Sequence, residues 1–286
     1  MVAAAQVIKE TARRGDYFTL PGGPLLVEWR QEWLKTLFQE LRRKAQEEKV
    51  VFIRVRPNIE NNPVNRQLFQ KMGFIKAPMH LHAESTLRLD LTKPLAEIMK
   101  EMRKNTRYAI HRAEREGVKT EISQDPAEVK TLYRLQMATV KRQRFIPFSE
   151  EFFRSHFQAF RQDKQIAFVK AIYQQQILAI GMFIFYADTA IYHYSGSSDQ
   201  QRHKFASSAM IWQAIQEAKK RGCLLFDLWG LAPADQPRHR FSGVSLFKRG
   251  FGGNEIHYLP AQDLVLTPFY WLTYLFETWR RLQRRL

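Results

Sequence analysis

The sequence predicts an α/β fold of two tandem lobes, each a mixed sheet flanked by helices. Two observations predict it. A phrase occurs twice, "LFQKMGFIK" at 68–76 and "LFKRGFGGN" at 246–254. Each copy follows an amphipathic helix and a short apolar strand, so the chain reads helix–strand–loop–helix–strand in two places. Short apolar phrases also recur by chance, so each element is justified in turn.

Before the first copy, residues 28–49 place Trp29, Trp33, Leu37, Leu41 and Ala45 at helical spacing. "VVFIRV" then reads as a strand covered on both faces, ended by Pro57 and an Asn-rich loop. "NRQLFQKM" is a short helix closed by Gly73, and "GFIKAP" is extended. The second copy repeats the order. "SSAMIWQAIQEAKKRG" is a helix with Met210, Ala214, Ile215 and Ala218 inward and Gly222 at its end, followed by the strand "CLLFDLWG".

Between the copies, "ESTLRLDL" alternates as a strand does. Residues 92–117 predict one long helix, capped by Thr92 with Pro94 in its first turn and stopped by Gly117. Leu95, Ile98, Met99, Met102, Ala109 and Ala113 form one face; Lys100, Lys104, Arg107, His111 and Arg115 form the other. "VKTEIS" is a strand. Residues 127–143 predict a helix on Val129, Leu132 and Leu135, its register loosened by Thr139. Residues 165–198 predict three antiparallel strands, turning at "YQQQ" and "ADT". The last helix is capped by Thr267 and Pro268. Phe269, Leu272, Leu275, Phe276, Trp279 and Leu282 share a face, and arginines 280, 281, 284 and 285 end it. That face either packs back on the first lobe or makes a peripheral contact with an anionic membrane.

Lys and Arg outnumber Asp and Glu by 45 to 28, a formal net charge of +17. Charge of that size favours anionic partners such as nucleic acid, lipid headgroups or phosphorylated metabolites. The single cysteine, Cys223, excludes an internal disulfide and reads as a buried, inert thiol. No apolar run approaches about 20 residues, so no spanning helix is expected, and the first residues lack the apolar core of a signal peptide.

Helix, strand, helix ending in a Gly-Phe step, final strand resembles the later half of the GNAT acyltransferase fold. Two such GNAT-like lobes resemble the Fem family (FemABX) of peptidoglycan-bridge aminoacyltransferases. "RYAIHRAEREGVKTEI" resembles the helix that links the lobes there, "YHYSGSS" a strand and its turn, and "FDLWG" with "SLFKRGFGG" the late strand and Phe-Lys element. "YFTLPGGPLL" resembles the early strand and turn of the first lobe, although family members carry a further stretch before it. A helical hairpin found in some members has no counterpart, which is nearer the compact, FemX-like members. The resemblance covers most of the chain and implies a discontinuous first lobe, 1–93 plus 260–286, around a second, 94–259.

It also implies a reaction: an aminoacyl-tRNA ester gives its amino acid to an amine on the stem peptide of a UDP-linked or lipid-linked peptidoglycan precursor, in the cytoplasm, with no metal or redox cofactor. Lys248 matches the lysine of the family's Phe-Lys pair, which holds the tRNA end or the intermediate, beside Phe247. In the first copy the same position reads Gln70. Arg142 and Arg144 fall where the family contacts precursor phosphates, and Tyr192 and Tyr194 near a strand end that contacts precursor. Those tyrosines alternate with His193 and so are expected on one sheet face. Lys100, Lys104, Arg107 and Arg115 are candidates for a tRNA backbone, or an ordinary solvated face. His80 and His82 share a strand face without a completing ligand, so no metal is expected. Asp227 orients a substrate amine or pairs with a cation. Two other classes stay open: a GNAT-like N-acyltransferase using acyl-CoA, although "SSDQQRHKFASS" lacks the glycine spacing of its pyrophosphate loop, and a non-catalytic RNA or anionic-lipid binder.

Overall fold

The structure, a computed structural model, describes residues 1–80, 83–143, 147–232, 239 and 241–284, the side chains of 141–143 and 284 excepted. The first elements are β1 (Ala3–Ala4), β2 (Ile8–Glu10), β3 (Tyr17–Gly22), β4 (Leu25–Leu26), α1 (Gln31–Glu47), β5 (Phe52–Pro57), α2 (Pro63–Lys71) and β6 (Phe74–Lys76). Then come β7 (Ser85–Asp90), α3 (Leu95–Glu101), α4 (Lys104–Arg115), β8 (Lys119–Ser123), α5 (Glu128–Gln143) and α6 (Glu150–Arg161). β9 (Ile166–Tyr173), β10 (Gln176–Tyr186), β11 (Thr189–Ser197), α7 (Ala206–Lys220), β12 (Leu225–Asp227), α8 (Ser242–Arg249) and β13 (Asn254–His257) follow. β14 (Gln262–Val265) and α9 (Tyr270–Arg284) come last.

Two compact units divide the chain. Met1–Ser85, Asp235–His239 and Ile256–Leu286 form the first; Thr86–Ala234 and Arg240–Glu255 form the second. The sheet of the first unit runs β2-β3-β5-β14-β6, with β3 and β5 parallel. The larger sheet runs β13-β7-β12-β11-β10-β9-β8, with β11 and β12 parallel. The duplication is visible in this order. β5 and β6 are separated by β14, and β12 and β13 by β7. The strand after the first copy completes the second sheet, and the strand after the second copy completes the first.

Local chemistry explains the elements. The three middle strands form the expected meander, and Gln174 and Gln175 both take positive φ at its first turn, the geometry that suits a tight hairpin. α7 buries Met210, Ala214, Ile215 and Ala218 as its spacing requires. Cys223 is buried and burial pushes its thiol pKa up, which fits an inert role. α6 is an element the sequence reading omits. Its signals are Ser149, whose hydroxyl accepts from the Phe152 N–H at 3.1 Å, and Phe153 and Phe157 four apart on the buried face.

Three expectations change. α1 buries Leu34, Phe38, Leu41 and Ala45, so Trp33 and Leu37 lie at the margin of its inward face. The long helix over 92–117 breaks into α3 and α4. Met102 enters the core with extended backbone, and the Arg103 N–H bonds the Gly250 carbonyl at 2.9 Å. The carbonyls freed at the break are capped by the Arg107 guanidinium, which reaches those of Lys100 and Met102.

The third change is in α9. The helix does pack on the first unit, but through Tyr270, Thr273, Tyr274 and Glu277, while most of the expected apolar face points outward. A buried ion network dictates this. Arg54, in the middle of β5, holds Asp263 through two bonds of 2.7 and 2.8 Å and Glu277 through two of 2.8 and 3.3 Å. The Tyr270 hydroxyl donates to Asp263 at 2.8 Å. Removing one partner of such a pair leaves an uncompensated buried charge, which costs about 3–5 kcal/mol. Asp263→Ala should therefore lower the unfolding free energy by roughly that amount in denaturant titration; a loss below about 1 kcal/mol would show that Arg54 does not need its partner.

Candidate active site

The site is built in the second unit where the second copy of the repeated phrase meets β11 and β12. Asp227, the last residue of β12, is buried and fully engaged. It accepts from the Thr86 hydroxyl, from Arg88 Nε at 3.0 Å and from the Trp229 N–H at 2.7 Å. So Asp227 pairs with a cation and holds a turn. Trp229 has φ +58 in that turn, strain the aspartate bond stabilises, and its carbonyl and that of Gly230 face α8.

Lys248, in the last turn of α8, is only 8% exposed. Its Nζ donates to the carbonyls of Gly230 at 2.9 Å and Trp229 at 3.4 Å, and stands 5.7 Å from the centre of the Tyr192 ring. Burial pulls its pKa down to about 8, against the opposing attraction of Asp227. Gly250 and Gly253 let the chain after α8 close up. A Cβ on Gly250 would lie 2.4 Å from Thr106 Oγ1, and one on Gly253, at φ +87, 2.4 Å from the Arg88 carbonyl. The glycine-rich run thus serves close packing.

The two copies end their helices alike. The N–H of Met72, just after α2, bonds the carbonyls of Gln70 and Phe69, and that of Gly250, just after α8, bonds those of Lys248 and Phe247. These matching ends put Lys248 opposite Gln70, as the repeated letters do. Phe69 is fully buried, whereas Gln70 is exposed. One unit turns this helix position to water, and the other buries an amine there.

Tyr192 and Tyr194 do not share a sheet face. β10 and β11 slip register between Met182 and Phe183, which pair with Tyr194 and Tyr192, so His193 is the extra residue of a β-bulge. The bulge reverses the alternation. Tyr192 stacks on Phe183 toward α7 and Lys248, with its hydroxyl bonded to Ser195. Tyr194 packs among Phe148, Phe152, Phe153 and His156 on the opposite side. Burial raises both phenol pKa values to about 12, so both stay protonated. His193 lies between Trp229 (5.4 Å) and His156 (4.7 Å). Burial, then the nearby His156 and Lys248, lower its pKa to about 3, so the imidazole is neutral. His156 Nε2 and His193 Nδ1 are buried without a hydrogen-bond partner among the described residues. Trp229, His193 and His156 are the members sequence reading missed; a bulge leaves no periodicity to read.

Phe247 lines a separate cleft of about 200 Å³ at the start of α7, with Ser197, Ser198, Arg202, Phe205 and Ser207. Of the basic stripe, Lys100, Lys104 and Arg115 are exposed, while Arg107 is half-buried in its capping role. The Arg142 side chain, all of Arg144 and His82 lie outside the described residues.

Comparison with known proteins places this geometry. The acetyltransferase (GNAT) domain family matches residues 100–239. The crystal structure of FemX superposes with a TM-score of 0.84 at 16% identity, over 96% of this chain and 87% of that one. The chain has a tandem GNAT fold similar to that of FemX. L-PGS from Bacillus licheniformis superposes less closely, with a TM-score of 0.60 at 13% identity over 95% and 85% of the two chains. A tandem GNAT protein from the clavulanic acid biosynthesis pathway gives 0.56 at 10% identity over 93% and 80%. No curated protein matches the sequence. In this tandem frame the second copy of the phrase supplies the buried amine.

The amine leaves a thermodynamic signature. Unfolded, it titrates near 10.5; folded, near 8. Below the folded value both states are protonated and the cost of burial is complete. Between the two values the unfolded chain binds more protons, so stability rises with pH there. The wild-type protein should gain stability relative to Lys248→Met as pH is raised from about 7 to about 10. A difference that does not change with pH would mean the amine is solvated.

Proposed function

We propose that this protein transfers an amino acid from an aminoacyl-tRNA to a stem-peptide amine of a peptidoglycan precursor, building the cell-wall cross-bridge. The observation that carries the reading is the buried Lys248 amine, at the position where the Fem-type resemblance puts the lysine of the Phe-Lys pair. The acceptor nitrogen attacks the ester carbonyl, the bond to the tRNA hydroxyl breaks, and the proton released from the amine ends on that hydroxyl. An ester is already activated, so positioning and charge stabilisation carry most of the barrier lowering. The Lys248 ammonium stabilises negative charge on the carbonyl oxygen or holds a phosphate of the donor's end. It gives up a carbonyl partner of the Trp229 turn to do so. Tyr192 forms the wall beside the amine, and Tyr194 with the neighbouring phenyl rings offers an apolar face to the precursor. Arg142 and Arg144 are assigned to precursor phosphates, while Lys100, Lys104 and Arg115 are assigned to the tRNA backbone. Arg107 is tied to capping and contributes less. A net charge of +17 suits two polyanionic substrates, both found in the cytoplasm. Another fold neighbour, the C-terminal domain assigned to a lysylphosphatidylglycerol synthetase from Agrobacterium fabrum, bears a name that joins an aminoacyl group to an acceptor.

The cleft at the start of α7 and the acetyltransferase family match favour a second reading, N-acyl transfer from acyl-CoA. One experiment separates the two. The protein is incubated with a mixture of charged tRNAs and with UDP-linked and lipid-linked precursors, and products are read by mass spectrometry. The expected product is a precursor heavier by one aminoacyl residue, formed roughly 10²–10³ times more slowly by Lys248→Ala. Tight acetyl-CoA binding in calorimetry, with acetylated product and no aminoacyl product, would overturn the proposal. Intact RNA binding by Lys248→Ala without transfer by either protein would identify a non-catalytic binder.

A further inference from the structure

We infer that α9 is a membrane-docking helix, which lays its outward face on an anionic bilayer surface. The inward face of α9 is the polar one. Tyr270 is fully buried with its hydroxyl on Asp263, and Glu277, the helix's single acidic residue, is turned in to Arg54. The outward face carries Trp271, Leu272, Leu275, Trp279 and Leu282, from 50% to 71% exposed, with Phe269 just before the helix at 67%. From Trp271 to Leu282 the stripe spans about 16 Å at the rise of an α-helix. A surface helix normally shows charged and polar side chains to water, so this one is inverted. Large apolar side chains gathered side by side mark a surface that something covers.

Charge identifies the cover. Arg280 and Arg281 adjoin the stripe on the helix, and the Arg14 guanidinium lies 3.8 Å over the ring of Phe276 at its margin. No acidic side chain of α9 faces outward. The chain carries +17, so a second copy would be repelled where an anionic surface is attracted. The two tryptophans suit the boundary between headgroups and acyl chains, where an indole ring has both an apolar body and a donor. The helix lies along the surface: among the described residues no helix is long and apolar enough to cross a membrane.

The test is co-sedimentation of the full chain with phosphatidylglycerol vesicles and with phosphatidylcholine vesicles, without measuring transfer, so its outcome is independent of the proposed reaction. Binding to phosphatidylglycerol should fall as salt rises, and phosphatidylcholine should bind at least about tenfold more weakly. Leu275→Asp with Trp279→Asp should reduce phosphatidylglycerol binding at least about tenfold with an unchanged melting temperature, since both positions face solvent. Should that pair fail to fold, Leu275→Ser with Trp279→Ser carries the same expectation. Arg280→Gln with Arg281→Gln should weaken binding and flatten its salt dependence. Undiminished vesicle binding by the stripe variants would overturn the inference. So would a wild-type dimer in sedimentation velocity that the same variants dissolve, which would make a second copy the occupant.

Discussion

A cation is buried at a helix position that its sister copy exposes as Gln70, and the candidate site is arranged around that difference. Lys248 cannot be buried bare, because an ammonium taken from water needs acceptors. The acceptors are the carbonyls of Trp229 and Gly230, which face inward because Asp227 holds the turn with Trp229 at positive φ. Asp227 is in turn held by Thr86 and Arg88 from β7, the strand that the first copy contributes to the second sheet. The duplication therefore does more than repeat a fold, since the strand following one copy supplies residues that shape the other copy's site.

The two units use buried charge for different ends. Around Arg54 every charge has a close partner, and the result is a fixed helix and a fixed outward face on α9. Around Lys248 the partners are neutral carbonyls, with Asp227 near but committed elsewhere. A fully paired cation would be locked in place. One held by carbonyl dipoles in an aromatic surround is stabilised less and is available for electrostatic work. The bulge at His193 serves the same region, sending Tyr192 toward Lys248 and Tyr194 into the opposite aromatic cluster.

Much of the fold was legible because it rests on periodicity. The repeated helix–strand–helix–strand run, the meander over 165–198 and the register of α7 follow from apolar spacing and turn residues. Three things were not, for distinct reasons. The α3–α4 break depends on Met102 and on capping by Arg107, both tertiary effects within an unbroken helical pattern. The outward face of α9 is apolar, so hydrophobic patterning points it the wrong way; only Arg54, more than two hundred positions earlier, explains it. The burial of Lys248 was hidden because the matching residue of the first copy, Gln70, is exposed, so the repeated letters say nothing of depth.

The most direct test is the titration of Lys248 itself, followed by NMR on protein carrying 13C at the lysine ε-carbons, with Lys248→Met to assign the signal. A midpoint near 8, well below the ordinary 10.5, is what a buried amine held by two carbonyls requires. A midpoint at the ordinary value would place the amine in water and contradict the account.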